Sequence, residues 1–254
     1  MQNAAVEIGV VPIEPGEGAR LGRVSGSAVS RVGGRKLNAD SFATVTDSAL
    51  GRTAFAVADG VGDHLAAARA ARLVARTAAR IALTQGAQAG ILAAQEELLR
   101  ELPEAAADSV LVVAVLPAEG HPDGPIDIAW VGDCRAYRWN GRILHQITTD
   151  HTVAEYFRAR GHQPLPGMGH LVTTSARTAH AEDIGSAATG TSLGRLLLCT
   201  DGVSKRLELT DIKALLAEPN TPAEAAESLV AAALAAGGTD NATAMVLDIG
   251  AAPA

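Results

Sequence analysis

Hydrophobic positions along the chain switch between two periods. Short alternating or β-branched apolar runs predict strands at 41–46, 53–58, 110–116, 126–131, 136–139, 143–148, 196–199 and 243–249. Each run is bounded by Gly, Pro, Asp or Asn. The pair Asn140-Gly141 predicts a tight hairpin between two of them, because such a turn needs residues tolerant of positive φ. Apolar positions at helical spacing predict helices at 65–83, 91–102, 152–160, 209–215 and 221–235. Thr221-Pro222 followed by Glu224 supplies an N-cap, a first-turn proline and an acidic N-terminus for the last of these. Two long helices follow the strand ending at Ala58, and most other strands connect through hairpins. That order predicts an α+β fold, a central antiparallel β-sandwich flanked by helices, rather than a doubly wound parallel sheet.

Two segments stand outside this rhythm. Residues 1–20 end in a Pro/Gly-rich stretch and read as a flexible N-terminal arm, with one domain over 21–250. Residues 161–194 are rich in Gly, Thr, Ser and His with little periodicity, a long irregular excursion of the functional or mobile kind. On the first long helix, Arg69, Arg72, Arg76 and Arg80 share one face. That face is either a basic docking strip or a solvated face opposite a core stripe of Leu73, Val74 and Ile81.

Composition adds limits. Of the 254 residues, 48% are hydrophobic and 19% charged, enough apolar surface for a real core, but only 3% are aromatic, so small aliphatic side chains must fill it. With 21 Lys+Arg against 28 Asp+Glu, the formal charge of −7 argues against a nucleic-acid backbone as main partner. Cys134 and Cys199 are too few for a disulfide framework or a thiolate zinc cage, and read as inert core residues. No apolar run approaches the roughly 20 residues that span a bilayer. No basic start precedes an apolar run at the N-terminus either, so a soluble cytoplasmic protein, and a monomer, is expected.

The aspartates carry the candidate chemistry. Asp59 follows the apolar run Phe55–Ala58 and precedes Gly60. Asp201 follows Leu196–Thr200 and precedes Gly202. Asp240 precedes Asn241 and a further apolar run, and Asp40 stands just before the strand at 41–46. Singly, an Asp at a strand end is a turn former. If the four converge, their repulsion must be relieved by raised pKa values or by a multivalent cation. Hard oxygen donors without Cys or clustered His then select Mg²⁺ or Mn²⁺.

In order, the segments RKLNADSF (35–42), FAVADGVGDH (55–64), VGDCRAY (131–137), LLLCTDGVS (196–204) and TDNATAMVL (239–247) resemble the R-x-x-N-x-D, D-G-x-G-G, G-D-S-R, S-D-G and D-N-x-T signatures of the metal-dependent Ser/Thr protein phosphatases of type 2C, in their compact bacterial form. The resemblance covers residues 20–250. It implies a four-layer αββα sandwich with a dinuclear Mg²⁺ or Mn²⁺ centre at one edge and a mobile flap over 162–180. It further implies that Asp59 bridges the two ions, that the Gly60 carbonyl binds one, and that Asp201 and Asp240 complete the other. Asp40 would orient the metal-bridging water, Arg35 would hold the phosphate, and Asp133 with Asp201 would hold a third, weaker ion. Water would attack directly, without a phosphoenzyme, and the partners would be phosphorylated Ser/Thr proteins made by bacterial kinases.

The chain departs from the pattern in places. The residue before Asp40, usually Glu or another polar residue in the family, is Ala39, so one ion would lose an oxygen contact. The second glycine of D-G-x-G-G is Asp63, which either compensates for Ala39 or caps the following helix. Cys134 and Thr200 stand where the family has serine, Asp108-Ser109-Val110 is a loose match to its strand start, and Val61 follows Asp59-Gly60. His64 is either a leaving-group acid or a solvent-facing histidine at a helix start. Ala39 and Asp63 keep an alternative open: a non-catalytic or weakly active phosphatase-fold protein that binds a phosphoprotein or regulator.

Overall fold

The computed structural model describes residues 7–9, 24–118, 121 and 123–250. Two antiparallel sheets face one another. One has the strand order β1 (Glu7–Gly9), β2 (Val24–Arg31), β11 (Ala242–Ile249), β10 (Gly194–Cys199), β7 (Arg135–Trp139), β8 (Leu144–Gln146). The other runs β3 (Asp40–Asp47), β4 (Arg52–Gly60), β5 (Ser109–Val115), β6 (Asp127–Val131), β9 (Gly185–Ala188). Helices α1 (Leu65–Gln85) and α2 (Ala87–Glu101) cover the outer face of the second sheet. The short α4 (Asp201–Ser204) with α5 (Leu209–Ala217) and α6 (Pro222–Ala235) covers the first, and α3 (Val153–Arg158) opens the long excursion. The α+β sandwich read from the sequence is the observed fold.

Strand alternation divides the interior into three apolar layers. In β4, Ala54, Ala56 and Ala58 pack under α1 and α2, whereas Phe55 and Val57 point between the sheets. In β10, Leu196 and Leu198 enter the gap between the sheets, and Leu197 and Cys199 face α5 and α6. Scarce aromatics are replaced by alanine. The buried face of α1 is Ala67, Ala70, Ala71, Ala75, Ala78, Ala79 and Ala82 with Val74, while Leu73 and Ile81 are only partly covered. Small side chains let helix and sheet backbones approach closely. All four arginines of α1 are exposed, as both readings of that face require.

Several elements differ from expectation for identifiable reasons. β2 (VSGSAVSR) and β9 (GSAA) are built of small, mostly polar residues and give little apolar alternation, so the excursion over 161–194 in fact contains a strand. Helix α2 begins at Ala87, four residues before its apolar pattern, because the carboxylate of Asp127 on β6 accepts the Ala87 N–H at 2.8 Å. The Asn140-Gly141 hairpin forms as a four-residue connection between Trp139 and Leu144, with Gly141 at φ +88° and the Asn140 side chain accepting the Arg142 and Ile143 amides. The capping box at Thr221 and Glu224 is present as read. Helix α1 is capped by His64, whose Nδ1 accepts the Ala67 N–H at 3.1 Å, and not by Asp63, which is exposed. Of the arm read over 1–20, only Glu7–Gly9 lies within the described residues, where it pairs with β2.

Candidate metal centre

Pairing register makes the site. β3 and β4 pair antiparallel with Asp40 directly opposite Asp59, so both carboxylates project from the same face at the same sheet end. That face is the one carrying Phe42, Phe55 and Val57 into the gap between the sheets. On the facing sheet, Leu196 and Leu198 are followed by Thr200, and Met245 and Leu247 are preceded by Thr243. The sandwich core thus ends in a polar cap. Thr200 and Thr243 donate to Oδ2 of Asp40 at 2.9 and 2.6 Å, tying the two sheets together, and Asp40 Oδ1 is buried with no partner.

Asp133, in the turn after β6, and Asp201, at the start of α4, close the other side. Both accept from Lys205 Nζ, at 2.5 and 2.8 Å. Asp240 Oδ2 accepts from Arg35 at 2.7 Å, and its Oδ1 accepts the Asn241 N–H at 2.8 Å. The Asn241 side chain straps the loop that carries Arg35. Its Oδ1 accepts the Ala39 N–H at 2.7 Å, and its Nδ2 donates to the Val32 and Leu37 carbonyls, both at 2.9 Å. Ala39 is buried, so its backbone anchors the segment while its side chain offers no donor atom.

Close backbone approach fixes both Asp-Gly pairs. A Cβ on Gly60 would stand 2.5 Å from the Ala67 carbonyl oxygen, and one on Gly202 only 1.9 Å from that of Asn241. Above the mouth, the predicted flap contains a short 3₁₀ turn at Met168–His170, and His170 Nδ1 comes within 3.9 Å of Asp201 Oδ2. The flap returns to the body through Asp108, whose carboxylate accepts from the Ser175 hydroxyl and the Arg177 amide.

The electrostatics are those of crowded carboxylates. Burial pushes Asp40 up to about 7, with Asp201 and Asp240 adding to it against the two threonine hydrogen bonds. Burial raises Asp59 well above the usual carboxylate range, and Asp40, Asp201, Asp133 and Asp240 each raise it further. Asp133 is raised by burial and Asp201, with Lys205 opposing. A cation among them would relieve this repulsion. Among the described residues, no three His, Cys, Asp or Glu side chains close around a single point. The unpartnered Asp40 oxygen and the all-oxygen donor set nevertheless fit a hard divalent ion, which keeps several waters in its shell. A thiol route is unsupported: burial pushes Cys134 far above its ordinary range and Cys199 up to about 12.

The sequence-predicted residues Asp40, Asp59, Gly60, Asp201, Asp240, Asp133 and Arg35 all fall at this one end of the sandwich. Lys205, Thr243, Asn241 and His170 were missed as functional candidates, and Thr200 entered only as a serine replacement. Only the Asp201-to-Lys205 spacing of one helical turn could have flagged the first of them.

Comparison with known proteins agrees with this fold. No protein-family model matches the chain. It is 26% identical over 212 residues to the serine/threonine phosphatase stp of Listeria monocytogenes, covering 76% of this chain and 82% of that one. It is 29% identical over 217 residues to the serine/threonine protein phosphatase PstP of Mycobacterium tuberculosis, covering 78% of this chain and 41% of that longer protein. The structure of the PstP catalytic domain in complex with two manganese ions superposes with a TM-score of 0.75 at 24% identity, over 90% of this chain and 99% of that domain.

Proposed function

We propose that this chain, a relative of the bacterial type 2C (PPM) phosphatases in sequence and fold, hydrolyses phosphoserine and phosphothreonine in proteins. The observation that carries this reading is that Asp59 lies within electrostatic reach of four other aspartates at one end of a sandwich of that fold. Asp59, the Gly60 carbonyl, Asp201 and Asp240 would hold two Mg²⁺ or Mn²⁺ ions. Such a pair supplies a lowered water pKa and neutralises charge on a phosphoryl group.

The chain's own residues account for the rest. Asp40 is held on one oxygen by Thr200 and Thr243, which leaves Oδ1 to orient a water and take its proton. Arg35 is over one-third exposed and paired with Asp240, an ion pair worth about 0–1 kcal/mol, so its guanidinium can turn to a phosphate at little cost. Both thiols are buried and pushed above their ordinary range, so neither cysteine is a ready nucleophile, and direct attack by water is the route the family resemblance implies. Among the described residues no helix is long and apolar enough to cross a membrane.

The test is phosphate release from matched phosphoserine, phosphothreonine and phosphotyrosine peptides in Mn²⁺. This reading expects turnover of the first two above the third. A folded preparation that turns over none of them would instead favour the binding-only alternative.

A further inference from the structure

We propose that Lys205 is a resident cation which occupies the space between Asp133 and Asp201, so that this chain binds two divalent ions and leaves no place for a third. The inference rests on the metal-dependent reading above and changes the part that the sequence resemblance implies for Asp133, which becomes a partner of an ammonium group instead of a ligand to a third ion.

The placement follows from local structure. Asp201 opens α4, and the Lys205 N–H closes that turn on the Asp201 carbonyl at 2.9 Å. Residues four apart on a helical turn lie one above the other, so the lysine side chain is carried back over Asp201. From there Nζ donates to Asp201 Oδ2 at 2.8 Å and reaches across to Asp133 Oδ2, on the turn after β6, at 2.5 Å. The three side chains are only 16%, 15% and 5% exposed, so the bridge stands largely out of water. The nearby guanidinium of Arg135 cannot take the lysine's place. It is committed in bidentate fashion to Asp150, at 2.8 and 2.7 Å.

The two carboxylates flank the ammonium, each accepting a charge-assisted hydrogen bond from Nζ. A divalent ion entering between Asp133 and Asp201 would have to expel a charged group from contact with both. One donor position of the amine is left over after the two carboxylates are served. It stands at the edge of the site as a fixed positive charge, covalently supplied and independent of metal concentration.

The consequence is a countable difference. Equilibrium dialysis of the metal-stripped full chain against Mn²⁺, with bound metal counted by atomic absorption, should reach two ions per chain. Lys205→Ala removes the ammonium and frees both carboxylates, and its stoichiometry should rise to three. Adding Asp133→Asn to that variant should return it to two. In the otherwise unaltered chain, Asp133→Asn should leave the count at two, which keeps the proposal testable even if Lys205→Ala fails to fold.

Three ions on the unaltered chain would overturn the proposal while leaving the phosphatase reading intact. So would a count of two in folded Lys205→Ala, or a loss of one ion in Asp133→Asn alone. Fewer than two ions on the unaltered chain would overturn the metal-dependent reading, and this proposal with it.

Discussion

Replacing Asn241 with alanine tests whether the site is held by the strap seen between β11 and the loop carrying Arg35. The side chain is buried and makes three hydrogen bonds, to the Ala39 amide and to the carbonyls of Val32 and Leu37, all between 2.7 and 2.9 Å. Each such bond contributes about 1 kcal/mol net, so the truncation should cost about 3 kcal/mol, or less where water reaches the freed carbonyls. For a domain of this size that corresponds to a fall in Tm of roughly 6–12 °C. Urea unfolding followed by circular dichroism, with the slope unchanged, measures the loss directly. The same variant should bind a phosphopeptide more weakly, since the strapped loop carries Arg35. A loss below about 1 kcal/mol would refute the reasoning, because it would mean that the loop is placed by its own backbone and not by Asn241.

Three further outcomes follow. Arg35→Ala should lower kcat/KM by about 10- to 100-fold, the worth of one charge-assisted hydrogen bond to phosphate, while leaving the metal count unchanged. A fall in metal binding instead would show that its partner Asp240 depends on it. In metal-free protein, stability should decline as pH rises from about 4 through 7, because the raised carboxyls of Asp40 and Asp59 bind protons in the folded state that the unfolded chain has released. Mn²⁺ should flatten that decline in a thermal scan across pH, and a metal-free Tm that rises over the same range would contradict the account. Lys205→Ala should cost about 3 kcal/mol in metal-free protein, since two largely buried carboxylates lose their cation, with Mn²⁺ restoring most of it.

Much of the site was legible because its residues sit where a strand pattern stops. Asp40, Asp59 and Asp240 flank apolar runs that proved to be β3, β4 and β11, and the eight expected strands are all present. What the sequence could not show is register. Asp40 and Asp59 face one another only because β3 and β4 pair in that alignment, and a shift of one residue would have turned one of the carboxylates to the opposite face. Contacts between distant segments were equally hidden. The Asp127 cap moves the start of α2, and Thr200 and Thr243 meet Asp40 across the two sheets. Lys205 was overlooked because a lysine one turn after an aspartate has the spacing of an ordinary surface ion pair. Its reach to Asp133 exists only once the turn after β6 is folded against α4. β2 and β9 escaped notice for a different reason: strands of Ser, Gly and Ala bury too little apolar surface to leave a periodic trace.

The most direct test of the central claim is a single titration. Metal-stripped chain and its Asp59→Asn variant, both shown to be folded, are titrated with Mn²⁺ while phosphate release from a phosphothreonine peptide is followed. The account predicts no turnover without metal, turnover that saturates with Mn²⁺ in the unaltered chain, and a loss of at least about 100-fold in Asp59→Asn. Turnover that ignores Mn²⁺, or that survives the loss of the Asp59 charge, would contradict it.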